Sequence, residues 1–263
     1  MAEERIQKVL ADQTELSRRA AEKLIAEGRV KVNGHPVGLG DKMDPTYDKV
    51  SIDGRNIRIV RKRQYMYIML HKPRGFLSTR SDEHGRKTVM DLVSDVDAHL
   101  RPVGRLDKDS EGLLLMTDDG AFINLLTHPS GGVGKLYRVT VHPRATEEQI
   151  VQLSSGVVLD DGIRTQPCVI RVVTDEPERT VMEITLHEGR NRQIRRMCSA
   201  VGLEVVRLRR TAEGPVKLGM LQPGEWRELK RSEVNALRNA AQQSARPFVS
   251  PGDAPRRPGP LRR

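Results

Sequence analysis

Gly104-Arg105-Leu106-Asp107-Lys108-Asp109-Ser110-Glu111-Gly112-Leu113-Leu114-Leu115-Met116-Thr117 sets three carboxylates and an arginine directly ahead of four apolar residues. Residues 113–116 follow neither helical nor alternating polarity, and a short unbroken apolar run of this kind fits a strand buried on both faces. Gly104 and Gly112 bracket the charged part, so the backbone is expected to turn sharply on each side of it. Asp107 then lies on a loop held down by a core strand, where scaffolds carry reactive groups. The ordinary alternative is an Asp that caps a turn by bonding its own backbone. From chemistry alone, Asp109 and Glu111 compete with Asp107 for any reactive role.

Outward from this stretch, the 263-residue chain is long enough for one large domain or two unequal ones. Its aromatic content is only 3%, so the core must be built from Leu, Val, Ile and Ala. Lysine and arginine total 45 against 35 acidic residues, a net charge of +10, and the pI is near 9.9. This balance favours a polyanionic partner, nucleic acid above all. The two cysteines, Cys168 and Cys198, are far apart and lack metal-ligand spacing. A reduced, cytoplasmic protein is expected. No apolar run approaches the roughly 20 residues of a membrane span, and the first residues carry no signal-peptide pattern. There is no dinucleotide fingerprint, no phosphate-binding loop and no metal-ligand set, so neither cofactor nor metal is expected.

Near the start, residues 6–10 open a short amphipathic helix. Ser17 is a good cap for a second one over residues 18–27, which Gly28 ends. Ala20, Ala21, Leu24 and Ile25 recur at helical spacing and face inward. Arg18, Arg19 and Lys23 form a basic strip on the other side. Residues 30–32, the turn Asn33-Gly34 and residues 35–37 read as a hairpin. Residues 1–63 carry a net charge of only +4, so the strip rather than the domain charge would meet phosphate. Residues 58–64 lack a core pattern and suit a linker.

Further on, residues 65–70 read as a strand stopped by Lys72-Pro73-Arg74-Gly75, and residues 80–91 as a charged loop. Asp118-Asp119-Gly120 turns into an apolar helix. In Lys135-Leu136-Tyr137-Arg138-Val139-Thr140-Val141 the alternation puts Lys135, Tyr137, Val139 and Val141 on one face of a strand. Thr146 and Gln149 form a capping box. Strands are expected over residues 168–173, 180–186 and 204–208, and a last helix from a Ser232 cap to about Ala241. Asn191 is positioned to cap a helix running to Val201. Residues 189–210 hold seven arginines and one glutamate, and arginines at a helix N-terminus suit phosphate.

Gly-Arg-Leu-Asp at 104–107, with Ser110-Glu111-Gly112, the leucine run and Thr117-Asp118-Asp119-Gly120, closely resembles the active-site motif of RNA pseudouridine synthases. Within that family it is most similar to the ribosomal type (A for the small subunit, B for the large). Lys72-Pro73-Arg74-Gly75, Lys135-Leu136-Tyr137 and Gly189-Arg190-Asn191-Arg192-Gln193-Ile194-Arg195-Arg196-Met197 resemble the family's other motifs, in the same order. The two helices and hairpin of residues 4–60 resemble the alpha-L RNA-binding motif of a ribosomal small-subunit protein.

The resemblance implies roles. Asp107 matches the catalytic aspartate, acting as a base on the ribose or as a nucleophile. Arg195 matches the arginine that pairs with it. Tyr137 stacks on the target base, Ile194 lines the uracil pocket, and Arg105 fills the stack left by a flipped base. Arg18, Arg19, Lys23, Lys72, Arg190, Arg192 and Arg196 are expected to touch RNA. The implied fold is α+β. A small N-terminal α/β RNA-binding module (1–60) and a linker (61–66) precede a catalytic domain (67–244) with a mixed, mostly antiparallel sheet, and a disordered basic tail follows (245–263). The expected activity is uridine-to-pseudouridine isomerisation in ribosomal RNA by a monomer. The charged loop after Gly75 favours the family members that act on large-subunit RNA over those that act on small-subunit RNA. A non-catalytic ribosome-assembly factor and a base-releasing glycosylase are the rival readings.

Overall fold

The computed structural model describes residues 3–14, 16–59, 64–96, 98–128 and 132–244. Residues 61–63 of the expected linker and the whole basic tail lie outside the described residues.

The N-terminal module comprises β1 (Glu4–Arg5), α1 (Ile6–Gln13), α2 (Arg18–Ala26), β2 (Val30–Val32), β3 (His35–Pro36), β4 (Lys42–Met43), β5 (Val50–Ile52) and β6 (Arg55–Asn56). Ser17 caps α2 as expected, its side chain accepting from Ala20 N. Asn33 and Gly34 both have positive φ, the geometry of a tight hairpin turn between β2 and β3. Ile6, Val9 and Leu10 of α1 and Ala21 and Ile25 of α2 close over Val30, Met43 and Val50 to make a separate small core.

The larger part comprises β7 (Tyr67–Lys72), β8 (Arg101–Pro102), β9 (Glu111–Thr117), α3 (Gly120–Thr127), β10 (Lys135–His142), α4 (Glu147–Ser155), β11 (Val169–Asp175), β12 (Thr180–Leu186), α5 (Gln193–Ala200), β13 (Glu204–Glu213), β14 (Val216–Lys217), β15 (Trp226–Glu228) and α6 (Arg231–Ser244). Its nine-stranded sheet runs β11-β12-β10-β13-β9-β7-β15, with β14 on β13 and β8 on β9. The β13–β9 pairing is parallel and the other pairings are antiparallel. The mixed, mostly antiparallel α+β fold is thus as expected.

The unbroken apolar run of β9 has a physical cause. Leu113 and Leu115 enter one core with Met69, Phe122 and Leu126, beneath α3 and α6. Leu114 and Met116 enter another on the opposite face, with Ile68, Leu70, Val89 and Leu100. Each such side chain contributes about 1.5–3 kcal/mol on burial, so neither face tolerates a polar residue. A third core joins β10, β12 and β13 to α4 and α5.

Four local expectations need correction. Gly112 is a residue of β9 rather than the far bracket of the loop. A Cβ there would lie 2.2 Å from Arg210 O, and its φ is +112°, so glycine allows β13 to approach. The cap of α5 is Arg192 in the left-handed region at φ 47°, not Asn191. The last helix begins at Arg231, which places Ser232 inside it. Finally, β13 continues to Glu213, five residues past the expected end.

Candidate active site

The loop of residues 104–110, the N-terminal end of α5 and the facing strands β10 and β13 enclose a cleft of about 830 Å³. Arg105, Asp107, Tyr137, Arg190, Arg192 and Ile194 all line it. A hollow of similar size beside Gln64, Tyr65 and Arg231 contains none of the expected site residues.

Asp107 is held by its backbone. Its carbonyl accepts from Lys72 Nζ at 3.0 Å and from Ser110 N at 3.1 Å. Lys72 also donates to Pro73 O and Ser110 O. Lys72 is 0% exposed, which corrects its expected role as an RNA contact: a side chain sealed under the loop cannot reach phosphate. Burial lowers its pKa to about 8, against the pull of Asp107 and Asp109.

The three carboxylates of the 104–117 stretch differ in their partners. Asp109 receives two bonds of 3.0 Å from Arg192, one to each oxygen, and lies 3.2 Å from Arg195 Nε. Burial opposes its ionisation, but Arg192 and Arg195 outweigh burial and hold its carboxyl below the usual range. Glu111 accepts from Arg207 at 2.7 Å. Among the described residues, the Asp107 carboxylate has neither a hydrogen bond nor an ion pair. The expected Arg195–Asp107 contact is therefore replaced here by Arg195–Asp109. Arg195 also donates to Val205 O and Asp109 O, which ties α5 to the loop and to β13.

Tyr137 and Arg210 are register partners on β10 and β13. Burial raises the pKa of the Tyr137 hydroxyl, and the neighbouring Arg210 partly offsets it. Ile194 is buried at the start of α5. Arg105, Arg190 and Arg192 are exposed at the cleft. Arg196 points elsewhere, to Asp160 and Asp161, so it is not free to meet RNA as expected. Arg18, Arg19 and Lys23 are exposed on α2.

Sequence reading missed Lys135, Arg210 and Glu213 as cleft residues. The signal was present: alternation from Leu208 puts Arg210 and Ala212 on the buried face once the strand is extended.

The sequence pattern of the RNA pseudouridylate synthase family matches residues 66–200, and that of the S4 domain matches residues 4–46. An RNA pseudouridine synthase of Aquifex aeolicus is 44% identical over 240 residues, covering 90% of this chain and 94% of that protein. Ribosomal large subunit pseudouridine synthase B of Bacillus subtilis is 40% identical over 248 residues, 93% of this chain and all of that protein. A crystal structure of a pseudouridylate synthase matches with a TM-score of 0.64 and 30% identity, over 89% of this chain and 99% of that one.

Proposed function

The chain belongs to the RNA pseudouridine synthases, enzymes that isomerise uridine in RNA, and from that membership we propose that its substrate is one uridine of large-subunit ribosomal RNA. The choice of large-subunit RNA is supported by the likeness to the Bacillus subtilis enzyme, which matches along its whole length. As a ribosomal RNA enzyme it works in the cytoplasm, as a monomer, with residues 1–60 gripping RNA and residues 67–244 carrying the chemistry.

One observation carries the catalytic assignment. Among the described residues, Asp107 is the carboxylate of the 104–117 stretch left without a partner, and it faces the cleft, while Asp109 and Glu111 are engaged by arginines. Asp107 is accordingly the reacting carboxylate at the ribose. The glycosidic C1′–N1 bond breaks, the detached uracil turns, and C5 bonds to C1′. The proton then lost from C5 is matched by one gained at N1, so the product is an isomer of the substrate. Uracil is a poor leaving group in water, so the step gains from a pocket in which donors are already oriented. Tyr137 stacks on the base and Ile194 packs its edge. Arg105, exposed at the mouth, fills the place of the flipped nucleotide, whose unstacking costs a few kcal/mol. Arg190, exposed and paired to Glu188 through Nε alone, binds a backbone phosphate beside the α5 N-terminus, whereas Arg192 is taken up by Asp109.

The test is pseudouridine mapping of ribosomal RNA from cells lacking the gene, complemented by wild type or by Asp107→Asn. The expected result is one lost site in large-subunit RNA that wild type alone restores. A lost site in small-subunit RNA, or no lost site, overturns the substrate assignment.

A further inference from the structure

The extended end of β13 carries two charged side chains into the cleft wall beside Tyr137. Arg210 and Glu213 are each 1% exposed, and both line the cleft. Arg210 donates its Nε to Leu113 O at 2.7 Å, while its Nη2 has no hydrogen-bond partner among the described residues. Glu213 Oε2 has none either. These two atoms stand 3.6 Å apart, near enough for charge attraction and too far for a sound hydrogen bond. Lys135 Nζ lies 3.9 Å from Glu213 Oε1, again beyond hydrogen-bond reach. Buried polar atoms ordinarily find partners, and leaving them without one is costly. Here a carboxylate sits between two cations in the cleft wall, with bonding capacity unused on Glu213 Oε2 and Arg210 Nη2.

On the reading given above, we infer that Glu213, Arg210 and Lys135 form the subsite for the polar edge of the flipped uracil. Glu213 accepts the N3–H, and Arg210 and Lys135 donate to the carbonyl oxygens on either side. Uracil offers acceptor, donor, acceptor along this edge. Cytosine has a bare nitrogen at position 3 and an amino group beside it, so the same carboxylate repels it; specificity arises from the mispaired buried group. The reaction adds a second reason. To rejoin through C5, the ring turns about the line from N3 to C6. That turn exchanges N1 with C5 and one carbonyl with the other, but returns N3–H to its place. A carboxylate at N3 with a cation on each side therefore meets the same pattern before and after the turn. It holds the detached base without favouring either orientation.

The experiment uses a large-subunit ribosomal RNA transcript carrying either uridine or 3-methyluridine at the mapped position, with the full-length protein. Wild-type conversion of the uridine transcript is the control. Its absence overturns the proposed function and this inference together. With conversion established, Glu213→Gln should lower kcat/KM for uridine about 10- to 100-fold, as loss of a hydrogen bond to a charged group does. The same variant should leave the already slow 3-methyluridine reaction within about twofold, because the two changes remove one interaction. An equal fall on both transcripts makes Glu213 a structural brace and overturns the inference. Should Glu213→Gln fail to fold, wild type alone decides: equal rates on the two transcripts overturn the subsite, and a fall of about tenfold or more on 3-methyluridine upholds it.

Discussion

Arg195 holds Asp109: its Nε stands 3.2 Å from Asp109 Oδ2 and its Nη2 donates to the Asp109 carbonyl at 3.1 Å. With Arg192 clasping both oxygens of the same carboxylate, α5 is strapped to the loop two residues beyond Asp107. The two aspartates should therefore respond differently to neutralisation. Asp107→Asn is expected to lower pseudouridine formation by about 10²–10⁴-fold, the range of a lost acid–base group, with RNA affinity unchanged. Asp109→Asn leaves the reacting group in place but loosens the strap, and should lower the rate by about tenfold, as 1–2 kcal/mol of lost positioning would. Single-turnover assays of the two variants beside filter binding separate these outcomes.

Lys72 links stability to pH. Its folded pKa is about 8 against an ordinary 10.5, chiefly because burial disfavours the ammonium. Between those values the unfolded chain holds more proton than the folded one, so the contribution of this group to stability grows as pH rises. Below that window both states are protonated and the burial penalty is present in full. Urea unfolding of wild type and Lys72→Met at several pH values should show the difference shifting in favour of wild type from about pH 8 upward. Lys72→Met also frees three loop carbonyls, so its turnover should fall as well.

Gly112→Ala tests the contact between β9 and β13. The new Cβ would meet Arg210 O at 2.2 Å and Arg210 N at 2.6 Å, both backbone atoms in a buried sheet that cannot move aside cheaply. A loss of about 3 kcal/mol is expected, at the upper end for point changes, read as a lower urea midpoint. Gly85→Ala, with nothing within 4 Å of the added carbon, controls for positive φ alone and should cost about 1 kcal/mol.

Replacing Arg18 and Arg19 with Ala should act uniformly on RNA binding. Both are exposed on α2, and phosphate contacts set affinity without reading sequence. The plot of log affinity against log salt should flatten by roughly 0.7–0.9 for each phosphate no longer neutralised. The rate for bound RNA should be unchanged, and a drop in that rate would assign these residues to the reaction instead.

The sequence made the scaffold legible where one physical cause dominated. An unbroken apolar run needed two covered faces, and β9 has them. Ser17 and Thr146 with Gln149 cap helices as their chemistry demands. Less legible was anything decided by pairing at long range. Lys72 looked like a surface cation because two of its three acceptors come from a loop more than 30 residues away. Glu213 counted only as charge because it falls outside the alternation that carries Arg210 inward, and its burial follows from β10 and β14 on either side. The Arg192 cap could not be foreseen from propensity either: a left-handed arginine is tolerated where Asp109 takes its side chain.

The parallel seam between β9 and β13 also has a consequence in time. It joins Arg210 to Leu113 across 97 positions of sequence, whereas the N-terminal module closes through contacts among its first 60 or so residues. Pairings between distant segments form late, and domains emerging first from the ribosome fold first. The N-terminal module thus closes well before the wall beside Tyr137 exists, and the pocket is assembled only once β13 has been synthesised.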